Sequence, residues 1–169
     1  MSRTAFVLSG GASLGAIQVG MLRALYEREI APDLIVGTSV GALNGAYVAS
    51  RPQSVATAEE LAAVWRGLDR KRVFPLGPLT GLLGFAGLRD HLVSSRGLRR
   101  IIRDHVQFRR LEDAQIPVHA IATDVLTGEE RRLSSGDSQL AIQASTAFPG
   151  GRDRRRAPDR RRRCQQRPD

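Results

Sequence analysis

The chain is 169 residues long, with 41% hydrophobic and 25% charged residues. This ordinary globular usage excludes a chain disordered throughout and a collagen-like repeat, and it allows one domain with a real core. A single cysteine, Cys164, excludes an internal disulfide framework, and no Cys/His cluster has zinc spacing. The net charge of +9 is concentrated at the end, where residues 151–169 hold nine arginines and three aspartates; the body is only mildly basic, and no nucleic-acid partner is expected.

Residues 4–22 carry no charge, but Ser9, Gly10, Gly11, Ser13, Gly15, Gln18 and Gly20 make this stretch too polar for a transmembrane span. Arg3 followed by Ala5-Phe6-Val7-Leu8 imitates a signal peptide only weakly, so a cytoplasmic protein is expected. The run Ala5-Phe6-Val7-Leu8 reads instead as a buried parallel strand, ended by Ser9-Gly10-Gly11. A helix over residues 15–30 follows, with Ile17, Met21, Ala24 and Leu25 as its apolar face and Arg23, Glu27 and Arg28 towards water. After Pro32, Leu34-Ile35-Val36 forms a second buried strand, and a sharp turn over 37–41 feeds a small-residue helix over 40–49. Strand, helix, strand, helix predicts an α/β fold with a parallel sheet.

A third helix is predicted over 58–68, with Leu61, Val64, Trp65 and Leu68 on its apolar side. Residues 74–88 combine four glycines and two prolines with Leu and Phe, which suits an apolar loop beside a cleft. Residues 94–105 read as a helix with Ser95 as N-cap, and Pro117 opens a strand through Val118, Ala120 and Ala122. Residues 124–129 form a turn that Asp124 caps, and 140–146 start a last helix. Beyond Pro149 the composition changes abruptly.

Gly37-Thr38-Ser39-Val40-Gly41 is a G-x-S-x-G sequence lying after a strand and before a helix. In that context a serine sits on a strained turn with its hydroxyl exposed, above a helix N-terminus that favours developing negative charge. The plainer reading makes Ser39 a helix cap. Gly10-Gly11-Ala12-Ser13-Leu14-Gly15 occupies a second strand-to-helix turn, where bare amides could hold a phosphate or an oxyanion. Ala12 replaces the middle glycine of a dinucleotide fingerprint, and the absence of G-K-[ST] excludes a P-loop.

His91, His105 and His119 share no motif with Ser39, so a Ser-His-Asp triad is not expected. Trp65, Phe74 and Phe85 suit core packing better than an acyl-chain pocket, and Arg99, Arg100 and Arg103 form a solvated basic helix face.

Four stretches together resemble the patatin-like phospholipase family: Ser9-Gly10-Gly11-Ala12-Ser13-Leu14-Gly15-Ala16, Gly37-Thr38-Ser39-Val40-Gly41-Ala42, Ala122-Thr123-Asp124 and Ala144-Ser145-Thr146-Ala147-Phe148-Pro149-Gly150. The resemblance implies a parallel-sheet, three-layer hydrolase domain over residues 4–150, lacking its C-terminal part, with 151–169 as an arginine-rich disordered tail. It implies Ser39 as nucleophile, an oxyanion hole lined by Gly10, Gly11, Ala12 and Gly15, and a nucleophile elbow of Gly37, Thr38, Val40 and Gly41. It further implies a phospholipase A-type hydrolysis of lipid acyl esters without metal or organic cofactor. Transient contact with a membrane surface would go with such a substrate.

Ala12 departs from the family's commoner third glycine but keeps its backbone N–H. The family's Ser–Asp dyad takes its aspartate from a later D-G-[GA] motif, and this sequence has none: Asp153 precedes Arg154 and Asp159 precedes Arg160. The chain as written is therefore expected to be inactive or nearly so. The pattern stops mid-motif and gives way to the arginine runs that GC-rich DNA yields out of frame, which favours a slipped reading frame near Pro149 over a solvated tail or a basic arm. Two other classes stay open: a catalytically dead lipid- or protein-binding module, and a phosphate-binding protein using the 10–15 loop.

Overall fold

A computed structural model describes residues 3–68 and 95–147. Strands β1 (Ala5–Leu8), β2 (Leu34–Thr38) and β3 (Val118–Thr123) pair in parallel, and β4 (Glu130–Leu133) adds an antiparallel edge to β3, in the order β1-β2-β3-β4. The apolar runs predict the three parallel strands. They do not reveal β4, because Glu130-Arg131-Arg132-Leu133 carries three charges and buries little. That strand is held by its turn instead. Asp124 Oδ1 accepts from the amides of Leu126 (2.9 Å) and Thr127 (3.2 Å), as the sequence suggests, and the Gly128 amide closes onto the Asp124 carbonyl at 2.8 Å.

Register places Phe6 beside Ile35 and Ile35 beside Val118, with Leu8, Gly37 and Ala120 in the next row. All six are buried on one face, whereas Val7, pointing the other way, is 75% exposed. Helix α2 (Val40–Ala49) lies along the buried face and packs on all three parallel strands. Its glycines and alanines permit this closeness: a Cβ on Gly45 would come within 2.8 Å of Ile35 Cγ2. Helix α1 (Gly15–Tyr26) lies beside α2, where the Tyr26 ring sits 6.3 Å from that of Phe6. Helix α3 (Val55–Gly67) packs on α1 and α2. Helix α4 (Ser95–His105) packs on α5 (Ser138–Thr146), which in turn rests on β3 and α2. Each fully buried aliphatic, such as Leu22, Ile35 and Ile142, contributes about 1.5–3 kcal/mol.

Three helix boundaries differ from the sequence reading, each for a capping reason. α3 starts at Val55 because Ser54 Oγ accepts from the Thr57 amide (3.3 Å), and α5 starts at Ser138 because Asp137 accepts from the Leu140 amide (2.8 Å). α1 stops at Tyr26, not residue 30: Glu29 adopts φ 57 and the Ile30 amide bonds the Leu25 carbonyl at 3.0 Å, closing a Schellman-type cap. The buried face of α1 also differs. Ile17 and Met21 are 62% and 57% exposed, and the helix buries Gly15, Gln18, Val19, Leu22 and Tyr26. A hydrophobicity pattern cannot choose this face, because it contains a glycine needed for close contact and a glutamine paired inside. The loop read over 74–88, with Phe74 and Phe85, lies outside the described residues, as do His91, the side chain of Ser95 and the tail over 151–169.

Glycine substitutions along these helices have opposite expected effects. A Cβ on Gly41 would overlap the backbone carbonyl of Leu8, whereas one on Gly20 meets nothing within 4 Å. Gly41→Ala is expected to destabilise by at least about 2 kcal/mol, and Gly20→Ala to stabilise by about 0.5–1 kcal/mol through loss of glycine's unfolded-state freedom. Urea unfolding monitored by circular dichroism measures both, and similar values for the two variants would contradict the packing described.

Candidate active site

Ser39 stands between β2 and α2 with φ 54 and ψ −119. A non-glycine residue in that region costs about 1–3 kcal/mol and persists only where its surroundings enforce it. The carbonyl of Ser39 accepts from the amides of Ala42 (3.0 Å) and Leu43 (3.2 Å). Its own amide donates to Ser145 Oγ at 2.8 Å, and the Ser145 hydroxyl donates to the Ile121 carbonyl on β3 at 2.5 Å. Ser145 is buried at the end of α5, so the turn is tied to both the sheet and the helical layer. The flanking glycines provide room: a Cβ on Gly37 would lie 2.5 Å from the Ala42 backbone. Thr38 is exposed, Val40 is buried, and Ser39 itself is half-buried. Among the described residues, no side chain is hydrogen-bonded to the Ser39 hydroxyl.

The second turn lies against the first. A Cβ on Gly10 would sit 3.4 Å from Ser39 Cβ and 3.6 Å from the Thr38 carbonyl oxygen. Gly11 and Ala12 follow with φ 153 and φ 49, and a short 3₁₀ turn (Ala12–Leu14) leads into α1. Ala12 bears the strain at the position where the resembling family more often has glycine. The amides of Gly10, Gly11 and Ala12 donate to no acceptor among the described residues. Gly15 differs from this set. Its amide donates to the Ala12 and Ser13 carbonyls, and a Cβ there would overlap Val40 Cγ2, so Gly15 anchors the loop and packs it.

Behind the loop lies a buried polar chain. Trp65 Nε1 donates to Asn44 Oδ1 (3.0 Å), Asn44 Nδ2 donates to Gln18 Oε1 (2.9 Å) and to the Gly15 carbonyl (3.0 Å), and Gln18 Nε2 donates to the Ser9 carbonyl (2.6 Å). The sequence reading assigns Trp65 to the core and gives Gln18, Asn44 and Ser145 no role. For Ser145 the only available signal is its place in the Ala144-Ser145-Thr146-Ala147 run.

The other candidates lie apart from Ser39. His105 ends α4 against the Tyr47 ring, 6.2 Å between centroids, and His119 lies mid-strand in β3 opposite Val36, with its Nδ1 buried and without a partner among the described residues. Asp124 is engaged by its hairpin: the Leu126 and Thr127 amides, helped by Arg131, hold its carboxyl below the usual range. Arg100 and Arg103 are exposed and pair with Asp104 at 3.4 and 3.1 Å. A groove of about 520 Å³ runs between α1 and α3, lined by Val19, Arg23, Ala62 and Trp65 among others, and includes no residue of the Ser39 turn. Among the described residues there is no cluster of metal-ligating side chains, and no helix is long and apolar enough to cross a membrane.

A strained serine between a parallel strand and a helix, beside a glycine loop, places the chain among α/β domains organised around a strand–serine–helix turn. The model of the patatin-like phospholipase family matches residues 6–163, and the chain belongs to that family. It is 32% identical over 147 residues to patatin-like phospholipase domain-containing protein ZK370.4 of Caenorhabditis elegans, covering 85% of this chain and 10% of that protein. It is 29% identical over 144 residues to neuropathy target esterase sws of Drosophila melanogaster, again covering 85% of this chain and 10% of the relative. The chain thus spans about a tenth of the length of these curated relatives. Among solved structures, the type III effector protein ExoU shares the fold, with a TM-score of 0.56 at 19% identity over 88% of this chain and 40% of the other.

Removing the Ser145 hydroxyl leaves the Ser39 amide and the Ile121 carbonyl without their partner. Ser145→Ala is expected to cost about 1–3 kcal/mol in urea unfolding, and a loss below about 0.3 kcal/mol would show that the tie does not hold the turn.

Proposed function

We propose that the chain carries the nucleophile and oxyanion loop of a lipid acyl-ester hydrolase of phospholipase A type. The observation that carries this reading is Ser39, held at φ 54 with its hydroxyl free of side-chain partners among the described residues and with the Gly10 loop against it. Ser39 Oγ attacks the acyl carbonyl, and the carbonyl oxygen, now negative, takes hydrogen bonds from the amides of residues 10–12. The alcohol then leaves carrying the proton that Ser39 gave up, and water releases the fatty acid from the acyl-serine and restores the Ser39 hydroxyl. The nucleophile and the oxyanion donors in these steps are this chain's own groups. Exposed Leu14, Ile17, Val125 and Leu126 lie on turns and the first helical turn at the carboxyl edge of the parallel strands, which supports contact with a lipid surface. The relatives' names, a phospholipase domain and an esterase, agree with this class of substrate.

The proton of Ser39 needs an acceptor, and the sequence in hand contains no D-G-[GA] motif. Loss of the base in comparable machinery lowers the rate by about 10⁴-fold. Turnover by this chain is therefore low, and that same missing motif favours one second reading, a module that retains lipid binding without turnover. Hydrolysis of a short-chain nitrophenyl ester and of phosphatidylcholine vesicles separates them. Slow hydrolysis that Ser39→Ala abolishes is expected. Residual hydrolysis equal in both proteins would remove Ser39 from the reaction, and vesicle binding equal in both with no hydrolysis in either would establish the binding module.

A further inference from the structure

Two uncharged amides, Gln18 and Asn44, are 8% and 1% exposed inside the helical layer. Buried amides are costly unless every polar atom is used, and here they form a directional chain. The indole N–H of Trp65 can only donate, so the atom of Asn44 facing it at 3.0 Å is the acceptor Oδ1. Asn44 Nδ2 is thereby turned to Gln18 Oε1 and the Gly15 carbonyl, and Gln18 in turn presents Nε2 to the carbonyl of Ser9, 2.6 Å away. The polarity of every bond follows from Trp65. The chain ends on the peptide that joins β1 to the glycine loop.

That peptide is trans, so its C=O and N–H point in opposite directions. Fixing the Ser9 carbonyl towards Gln18, inside the helical layer, fixes the Gly10 N–H to point away from that layer. Glycine at position 10 would otherwise let the plane rotate at little steric cost. A reversed plane would present a carbonyl oxygen where an anion needs a donor. Asn44 lies on α2, five residues after Ser39, so the same chain registers the loop against the helix that follows the nucleophile.

We infer that Trp65, Asn44 and Gln18 are a relay of positioning residues that sets the orientation of the Ser9–Gly10 peptide and so aims the Gly10 amide as an oxyanion donor. This rests on the reading of Ser39 and residues 10–12 as hydrolytic machinery, but the orientation of the peptide is measurable without it. The test uses the full ¹⁵N-labelled chain and three variants: Gln18→Glu, whose carboxylate cannot donate to the Ser9 carbonyl; Asn44→Asp, which loses the donor to Gln18; and Trp65→Phe, which keeps an aromatic ring at a half-buried position but removes the N–H together with the rest of the second ring. The Gly10 amide resonance is expected to move or split in all three, with the Ile35 and Val48 amides unchanged. The rate of fluorophosphonate attachment to Ser39 is expected to fall by about 10²-fold in Gln18→Glu, the loss seen when one oxyanion donor is removed.

If Gln18→Glu or Asn44→Asp fails to fold, the Gly10 resonance of Trp65→Phe decides. An unchanged Gly10 resonance in the folded variants, with only the melting temperature lowered, would reduce the three residues to structural packing and overturn the inference. If the wild-type chain takes up no fluorophosphonate, the hydrolase reading fails, while the Gly10 resonance still settles whether the relay orients the loop.

Discussion

The arrangement depends on one close approach. The first turn of α2 passes so near the carboxyl end of β1 that a single Cβ at Gly41 would overlap the Leu8 carbonyl, and one at Gly37 would meet the Ala42 backbone. Because those atoms are absent, α2 lies close on the sheet and the turn before it has no slack. Ser39 is forced to φ 54 at the carboxyl edge, and the loop that continues β1 is brought against its Cβ. A larger residue at position 41 would separate the serine from the glycine loop beside it. The chemistry proposed for the chain thus begins as a packing condition between a strand end and a helix.

Two polar ties keep that geometry from relaxing. Ser145 joins the Ser39 amide to β3, and the Trp65–Asn44–Gln18 chain joins the base of the glycine loop to α1, α2 and α3. Both are buried or partly buried hydrogen bonds whose breakage would leave backbone or amide groups short of partners, so they resist local opening more than their net contribution to folding suggests. A strained serine is maintained in this way by side chains from four other elements, β3's partner helix and the three helices around the glycine loop.

Much of this was legible in the sequence because glycines placed between strand and helix signals have few alternative uses. The helix over 40–49 has the expected boundaries, and both glycine turns lie between strand and helix where their sequence indicates. The buried face of α1 was not legible, because burial there follows Gly15 and Gln18, which hydrophobicity scores against. β4 carries no apolar signal, because its three charged residues are held by the Asp124 turn and pairing to β3. The roles of Ser145, Gln18 and Asn44 arise from partners 106, 9 and 26 residues away in sequence, and apart from the Ala144-Ser145-Thr146-Ala147 run around Ser145 no local pattern marks them. The Gly15 amide, expected in the oxyanion hole, is spent on closing the 3₁₀ turn.

The relation of the two turns can be read most directly from a crystal structure of the chain after reaction with a small fluorophosphonate, whose tetrahedral adduct imitates the attacked ester. The expected result is phosphorus on Ser39 Oγ with its non-bridging oxygen about 2.7–3.1 Å from amide nitrogens of residues 10–12. A Ser39 adduct whose oxygen faces solvent, or phosphorus attached to another serine, would contradict the assignment of the glycine loop as the oxyanion hole of this nucleophile.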